Sequence, residues 1–142
     1  MKASLTVLLL AAGMTTSAHA DNATVVARSG GAEVYGHVCQ GCHMPAGQGA
    51  IGAGHYPKLA GDRALVSWQY VALTVLNGKK GMPAFGLPGI PLEQEFFTAH
   101  LTDAQVCDVV NYVRSHFGNK WKGTVTVEQI AALPHPGIAA KH

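Results

Sequence analysis

The chain has 142 residues, a 48% hydrophobic share and a formal net charge of +2 at pH 7. That near-neutral balance excludes the electrostatic footprint of a nucleic-acid binder or of a protein held on an anionic membrane. With 17 Gly and 7 Pro against a high apolar share and no internal repeat, it reads as one small domain of few helices joined by long ordered loops, not as a disordered chain.

Residues 1–20 read as a secretory signal: Lys2 as a short positive region, an apolar stretch from Leu5 to Ala12, and a small-x-small site at Ala18-His19-Ala20. Cleavage after Ala20 is expected, so the mature chain starts at Asp21. The apolar run is too short to span a bilayer comfortably and no later stretch is long enough. The sequence therefore predicts an exported protein, periplasmic in a Gram-negative bacterium, with no membrane span after cleavage. Asp21 to Arg28 is a lead-in. Ser29 is the expected cap of a helix from about Gly30 to Gln40, with Gly31, Tyr35 and Cys39 on one face.

Cys39-Gln40-Gly41-Cys42-His43 follows, a C-x-x-C-H run. This spacing attaches a c-type haem. Two thiols three positions apart can each add across a haem vinyl group, and the next residue, His43, then sits under the ring with its imidazole on the iron. Gly41 leaves room for the turn between the cysteines to tighten. Three other readings compete. A structural zinc site needs about four protein ligands, but Cys107 is the one other cysteine and lies outside any C-x-x-C. A thioredoxin-like redox pair expects a βαβ pattern, which the sequence lacks. A buried or disulfide-bonded pair is the third. With one such motif, one covalent haem c is expected.

Pro45 to Gly61 is a Gly/Pro-rich loop, and Arg63 to Asn77 reads as a second helix ended by Gly78. The turn Lys79-Lys80-Gly81-Met82-Pro83 supplies the expected second axial ligand. Met44 adjoins His43 and cannot reach across the ring, whereas Met82 has enough chain before it to pass around the haem edge. His55 and His100 are the competitors, and either would lower the potential relative to Met/His ligation. Thr102 with Gln105 predicts a capping box for the last long helix, with Val106, Val109, Val110, Val113 and Phe117 at helical spacing and Gly118 stopping it. Thr126 with Gln129 predicts a short helix from Val127 to Leu133. No run shows strand alternation. Cys107 is expected as a small core residue, with pairing between chains as the alternative. Trp68 and Tyr70 are candidates to hydrogen-bond a haem propionate.

At these positions the chain resembles class I cytochromes c. The resemblance rests on the C-x-x-C-H run, Pro57-Lys58-Leu59-Ala60-Gly61, Gly81-Met82-Pro83-Ala84-Phe85 and Asn111-Tyr112-Val113-Arg114. It implies an all-α cytochrome c fold over residues 29–119, with the first helix crossing the last so that Gly31 and Tyr35 lie near Tyr112. It also implies that the Pro57 carbonyl accepts a hydrogen bond from the His43 nitrogen not on iron. Residues 120–142 form a C-terminal extension. The departure from the pattern is an insertion near 87–101, between Met82 and the last helix.

The function implied is periplasmic one-electron transfer, from an upstream dehydrogenase or other redox protein to an oxidase or another cytochrome. Lys58, Lys79 and Lys80 are candidates to steer an acidic partner, with ordinary solvated lysines as the alternative. The rival readings are a haem enzyme or gas-binding protein with an open iron position, a thiol–disulfide protein using Cys39 and Cys42, and an obligate subunit of a larger dehydrogenase.

Overall fold

The first helix of the computed structural model, which describes residues 30–52, 54–87 and 99–137, begins at Gly31. The signal segment, its cleavage after Ala20, the lead-in, Ser29 and the interior of the insertion lie outside those residues. The cap position is Gly30, whose own N–H donates to Asp108 Oδ2 of a distant helix at 3.0 Å, and no side chain caps the first turn. The helix runs as α1 (Gly31–Val34), a π-helical turn (Tyr35–Cys39) and α2 (Gln40–His43). The backbone passes through Gly41 as helix, without the tightened turn expected there. A π turn widens and re-phases a helix. Here it separates Val34 and Tyr35, buried in the core, from Cys39 and His43, which line a cavity.

The loop after α2 holds one short antiparallel ribbon, β1 (Ala50–Ile51) with β2 (His55–Tyr56), paired Ala50 to Tyr56 and Ile51 to His55. Two-residue strands are too short to leave an alternating pattern in the sequence.

The expected second helix is broken in two. Asp62 caps a 3-10 turn over Arg63–Val66, its Oδ1 accepting from Ala64 N–H at 2.9 Å. Ser67 then adopts an extended conformation and caps α3 (Trp68–Asn77), its Oγ accepting from Tyr70 N–H at 3.2 Å. Serine side chains compete with the helical backbone in this way, which is why a mid-run Ser favours a new start over continuation. Gly78 ends α3 at φ 71, a conformation that L side chains avoid.

The helix α4 (Asp103–Ser115) has the predicted capping box: Thr102 N–H donates to Gln105 Oε1 at 2.9 Å and Gln105 N–H to Thr102 Oγ1 at 3.3 Å. It ends before Phe117. His116 is extended and Phe117 turns to φ 57, which brings its ring to 4.8 Å from that of Tyr35. Ser115 Oγ donates to the Asn111 carbonyl at 2.8 Å and Asn119 Nδ2 to the Val113 carbonyl at 2.8 Å, so side chains satisfy the final turn. A second capping box starts α5 (Val127–Ala131), two residues shorter at its end than expected.

Among the described residues the fold is all-α apart from the ribbon. One core joins Val34, Tyr35, Leu65, Val71, Leu76, Leu101, Val106, Val110, Val125 and Ile130. Each such aliphatic side chain contributes about 1.5–3 kcal/mol on burial. Val125 and Ile130 place the C-terminal segment inside that core. Cys107 is buried there and donates to the Val125 carbonyl at 3.1 Å, the core role expected of it. The segment is pinned further at His135, whose Nδ1 lies 2.7 Å from the Leu133 carbonyl and whose Nε2 lies 2.7 Å from Asp103 Oδ1.

The first helix meets α4 at Gly31. A Cβ built there would collide with the Asp108 carbonyl and Tyr112 Cβ. Helix propensity alone favours Ala over Gly by about 1 kcal/mol, whereas overpacking costs about 1–3 kcal/mol. Overpacking is expected to win: Gly31→Ala lowers the denaturant midpoint, and an unchanged or raised midpoint would refute the close crossing.

The His135 pair gives a pH signature. Burial lowers the His135 pKa, but the hydrogen bonds to Asp103 and Leu133 and the Asp103 charge outweigh it, and the net shift is upward. A raised folded-state pKa stabilises below the unfolded value, near pH ~6.5, and that stability is lost as pH rises through the folded value. His135→Gln is therefore expected to be less stable than the parent at about pH 5.5 and to converge on it by about pH 9. A pH-independent difference between their unfolding midpoints would contradict this.

Candidate functional site

Two adjoining cavities, of about 520 Å³ and about 120 Å³, open between α2, α3, α4 and the methionine turn. Cys39, His43, Pro57, Tyr70, Thr74 and Met82 line both. Cys42 lines the larger one, and Leu65, Val71, Val75, Val109, Val110 and Val113 make the smaller one strongly apolar.

His43 sits in the last turn of α2 and is buried. Its Nδ1 lies 2.9 Å from the Pro57 carbonyl, which can only accept, so Nδ1 carries the proton and Nε2 is left as the nitrogen with a free lone pair. The loop that carries Pro57 is held from below. Asn119 Nδ2 donates to the Leu59 carbonyl at 3.0 Å, and Gly61 N–H donates to Asn119 Oδ1 at 2.9 Å. Tyr35 OH donates to the Met44 carbonyl at 2.7 Å and so fixes the residue after His43.

Met82 is held by its own turn and by α3. Lys79 N–H donates to the Met82 carbonyl and Met82 N–H to the Lys79 carbonyl, each at 3.0 Å. Phe85 and Gly86 N–H groups donate to the Val75 and Leu76 carbonyls at 2.9 and 3.0 Å. The thioether thus reaches the cavity from a segment laced to the end of α3.

The other expected residues divide. Tyr70 lines both cavities and accepts a hydrogen bond from Lys79 Nζ at 3.0 Å. Trp68 packs on the core and lines neither cavity. His55 lines the larger cavity from β2. His100 is buried elsewhere, its Nδ1 lying 3.2 Å from the Gly86 carbonyl. Lys58 and Lys80 are exposed. Two residues, one in the last turn of α4 and one just beyond it, carry more than the sequence revealed. Asn119 ties the Pro57 loop to α4. Arg114, buried to 3% exposure, donates to the carbonyls of Leu65, Lys122 and Gly123 at 3.0, 2.8 and 2.7 Å. No local motif marks either role, because every partner is a backbone carbonyl or amide set by the tertiary fold.

The cleft suits a flat apolar group bearing a metal. Its walls are valine and leucine, two thiols stand at one side, and an imidazole nitrogen and a thioether sulfur face the same space, a donor pair that iron in a porphyrin accepts. Burial, reinforced by the Cys42 charge, pushes the Cys39 thiol up to about 12, the opposite of the depressed values that make a C-x-x-C pair a redox catalyst.

Helices crossed over such a cleft, with paired cysteines at its side, are the architecture of a c-type cytochrome. Residues 27–113 match the family model described as cytochrome c oxidase, cbb3-type, subunit III, and the chain belongs to that cytochrome c family. Its cofactor is covalently bound haem c. It is 34% identical over 115 residues to the alcohol dehydrogenase (quinone) cytochrome c subunit of Gluconobacter oxydans, covering 75% of this chain and 22% of that subunit. It is 37% identical over 110 residues to the gluconate 2-dehydrogenase cytochrome c subunit of Pantoea cypripedii, covering 72% of this chain and 23% of that subunit. Cytochrome c6 of Synechococcus is 29% identical over 124 residues, which is 87% of this chain and 100% of that protein. The chain therefore spans under a quarter of the length of the two dehydrogenase subunits and matches the small cytochrome along that protein's whole length.

Asn119→Ala is expected to lower stability by about 1–3 kcal/mol for each buried backbone group it leaves without a partner. It should also speed hydrogen exchange at the Gly61 amide. A stability loss with the Gly61 amide unaffected would mean that Asn119 does not hold the Pro57 loop.

Proposed function

We propose that this chain is a one-electron carrier whose haem c is held by Cys39 and Cys42 through thioether bonds, with His43 and Met82 as the axial ligands of its iron. The observation that supports this most directly is that His43 and Met82 line the same pair of cavities as Cys39. When bound, the haem supplies an iron that takes up and releases one electron.

The chain's own residues keep that centre from rearranging. The Pro57 carbonyl orients the His43 ring and strengthens Nε2 as a donor. The turn at Lys79–Met82 presents sulfur from a fixed backbone. Val71, Val75, Val109, Val110 and Val113 exclude water from the inner cavity, which favours the less charged ferrous state. No nucleophile or general acid is required.

The relatives are named as subunits of alcohol and gluconate dehydrogenases. By that likeness the electron donor is a dehydrogenase of an alcohol or sugar acid; the acceptor in this reading is a respiratory oxidase or another cytochrome. Contacts of this kind are small and transient. Lys58 and Lys80 stand exposed where they can steer an acidic partner, while Lys79 is engaged by the Tyr70 hydroxyl and ring. Among the described residues no helix is long and apolar enough to cross a membrane. With a signal cleaved after Ala20, the protein works in the periplasm. The same likeness supports a second reading, in which the chain serves as a fixed subunit of a dehydrogenase complex. Purification from native periplasm and membranes distinguishes the two.

The ligand assignment has a spectroscopic test in cells able to attach haem. The parent is expected to be low-spin in both oxidation states, with haem retained after denaturation. Met82→Ala should become high-spin in the ferric form and bind carbon monoxide rapidly when reduced. Met82→His should stay low-spin at a lower potential. A Met82→Ala protein that keeps the parent spectrum would overturn the assignment of Met82. A parent that is already high-spin would favour an open iron position.

A further inference from the structure

Arg114 is a buried cation with no anion beside it among the described residues. Its side chain is 3% exposed, and its three hydrogen bonds all go to backbone carbonyls: Nε to Leu65, Nη1 to Gly123 and Nη2 to Lys122. Those carbonyls solvate the guanidinium, and the C-terminal end of α4 adds favourable dipoles. Neither removes the net positive charge, and an arginine does not shed its proton in a protein.

The charge sits directly behind the haem cavity. Leu65, whose carbonyl it bonds, and Val113, its neighbour in the chain, both line the inner cavity. The Leu65 and Val113 side chains are themselves buried and aliphatic, a setting in which a charge is screened less than at the surface. Asp62 is the carboxylate that lines the same cavity; it is only half-buried, with Oδ1 engaged by Ala64 N–H, so solvent screens it more.

We propose that Arg114 is a positioning and tuning residue: it braces the Leu65 wall and the Lys122–Gly123 turn, and its buried charge raises the reduction potential of the haem. The inference rests on the electron-carrier reading of the cleft. The sign comes from charge alone. Ferric haem carries one more positive charge than ferrous haem, so a nearby fixed cation disfavours oxidation.

The test is the midpoint potential of the haem-loaded protein, read with its absorption spectrum and denaturant midpoint. Arg114→Gln and Arg114→Met are expected to lower the potential with the axial-ligand bands unchanged. Arg114→Lys should keep most of the potential while losing stability, because it retains charge but not the three-way clamp. Potentials equal to the parent's in the two neutral variants would overturn the tuning role. So would Arg114→Lys falling as far as they do.

If the neutral variants do not fold, Lys122→Glu decides. It leaves the backbone clamp in place and puts a carboxylate on the residue whose carbonyl the guanidinium bonds, and Lys120→Glu, equally exposed, is the control of equal charge change. A larger drop for Lys122→Glu supports the proposal, and equal drops overturn it. Failure of the parent itself to acquire haem would instead refute the carrier reading, so the two failures are distinct.

Discussion

The close approach of the first helix to α4 at Gly31 is the contact from which the cavity takes its shape. The first helix carries Cys39, Cys42 and His43 at its far end, and α4 supplies Val109, Val110 and Val113 as facing wall. Any residue larger than glycine would push the two apart and open the cleft. Rotation about the crossing is fixed by rings. Tyr35 lies 5.6 Å from Tyr112 and 4.8 Å from Phe117, pairs that contribute about 0.5–1.5 kcal/mol each beyond their burial. Its hydroxyl then bonds the Met44 carbonyl, so the same side chain that orients the crossing also fixes the end of the helix beside His43.

The loops are held by different means. Gly/Pro-rich segments cannot form ladders with one another, yet their buried amides and carbonyls still need partners. Three side chains at or near the end of α4 meet that need. Asn111 pairs with both backbone groups of Val125, its Nδ2 and Oδ1 each at 2.9 Å, and so imitates a strand. Arg114 bonds the carbonyls of Leu65, Lys122 and Gly123, and Asn119 bonds the backbone of Leu59, Gly61 and Val113. The result suits electron transfer. A carrier works with little reorganisation, and here the Pro57 loop and the Leu65 wall are tied to the end of α4 while the Met82 segment is tied to α3.

How much of this is legible in the sequence depends on how local each signal is. The C-x-x-C-H run, the capping boxes at Thr102 and Thr126, and the stop at Gly78 are set by residues within a few positions of one another, and the structure has the same caps and the same stop. The proximity of Gly31 and Tyr35 to Tyr112, and of His43 to the Pro57 carbonyl, comes from family likeness, and both contacts are present. The π turn, the break at Ser67 and the left-handed turn at Phe117 are not legible. Each trades local helix continuity for a tertiary contact: the re-phased Cys39, the recapped α3, the Phe117 ring on Tyr35. Trp68 and Tyr70 look alike in sequence, but only Tyr70 reaches the cleft. Arg114 reads as part of a helix pattern, and its importance lies in partners 8, 9 and 49 residues away.

The segment between Met82 and α4 leaves and returns through a narrow neck. Gly86 and Leu101 lie side by side as a parallel bridge, Leu101 N–H donates to the Phe85 carbonyl at 2.7 Å, and the Leu101 side chain is buried to 1% exposure. Chain leaving at Gly86 therefore returns at the point it left. The entropy of closing such a loop grows only with the logarithm of its length, so added residues cost little once the neck is closed. On the near side of the neck, the Met82 segment is anchored to the Val75 and Leu76 carbonyls of α3. On the far side, Thr102 starts α4 with its own capping box. These contacts fix both ends of the segment, at Gly86 beside the methionine turn and at Leu101 beside the helix that walls the cavity.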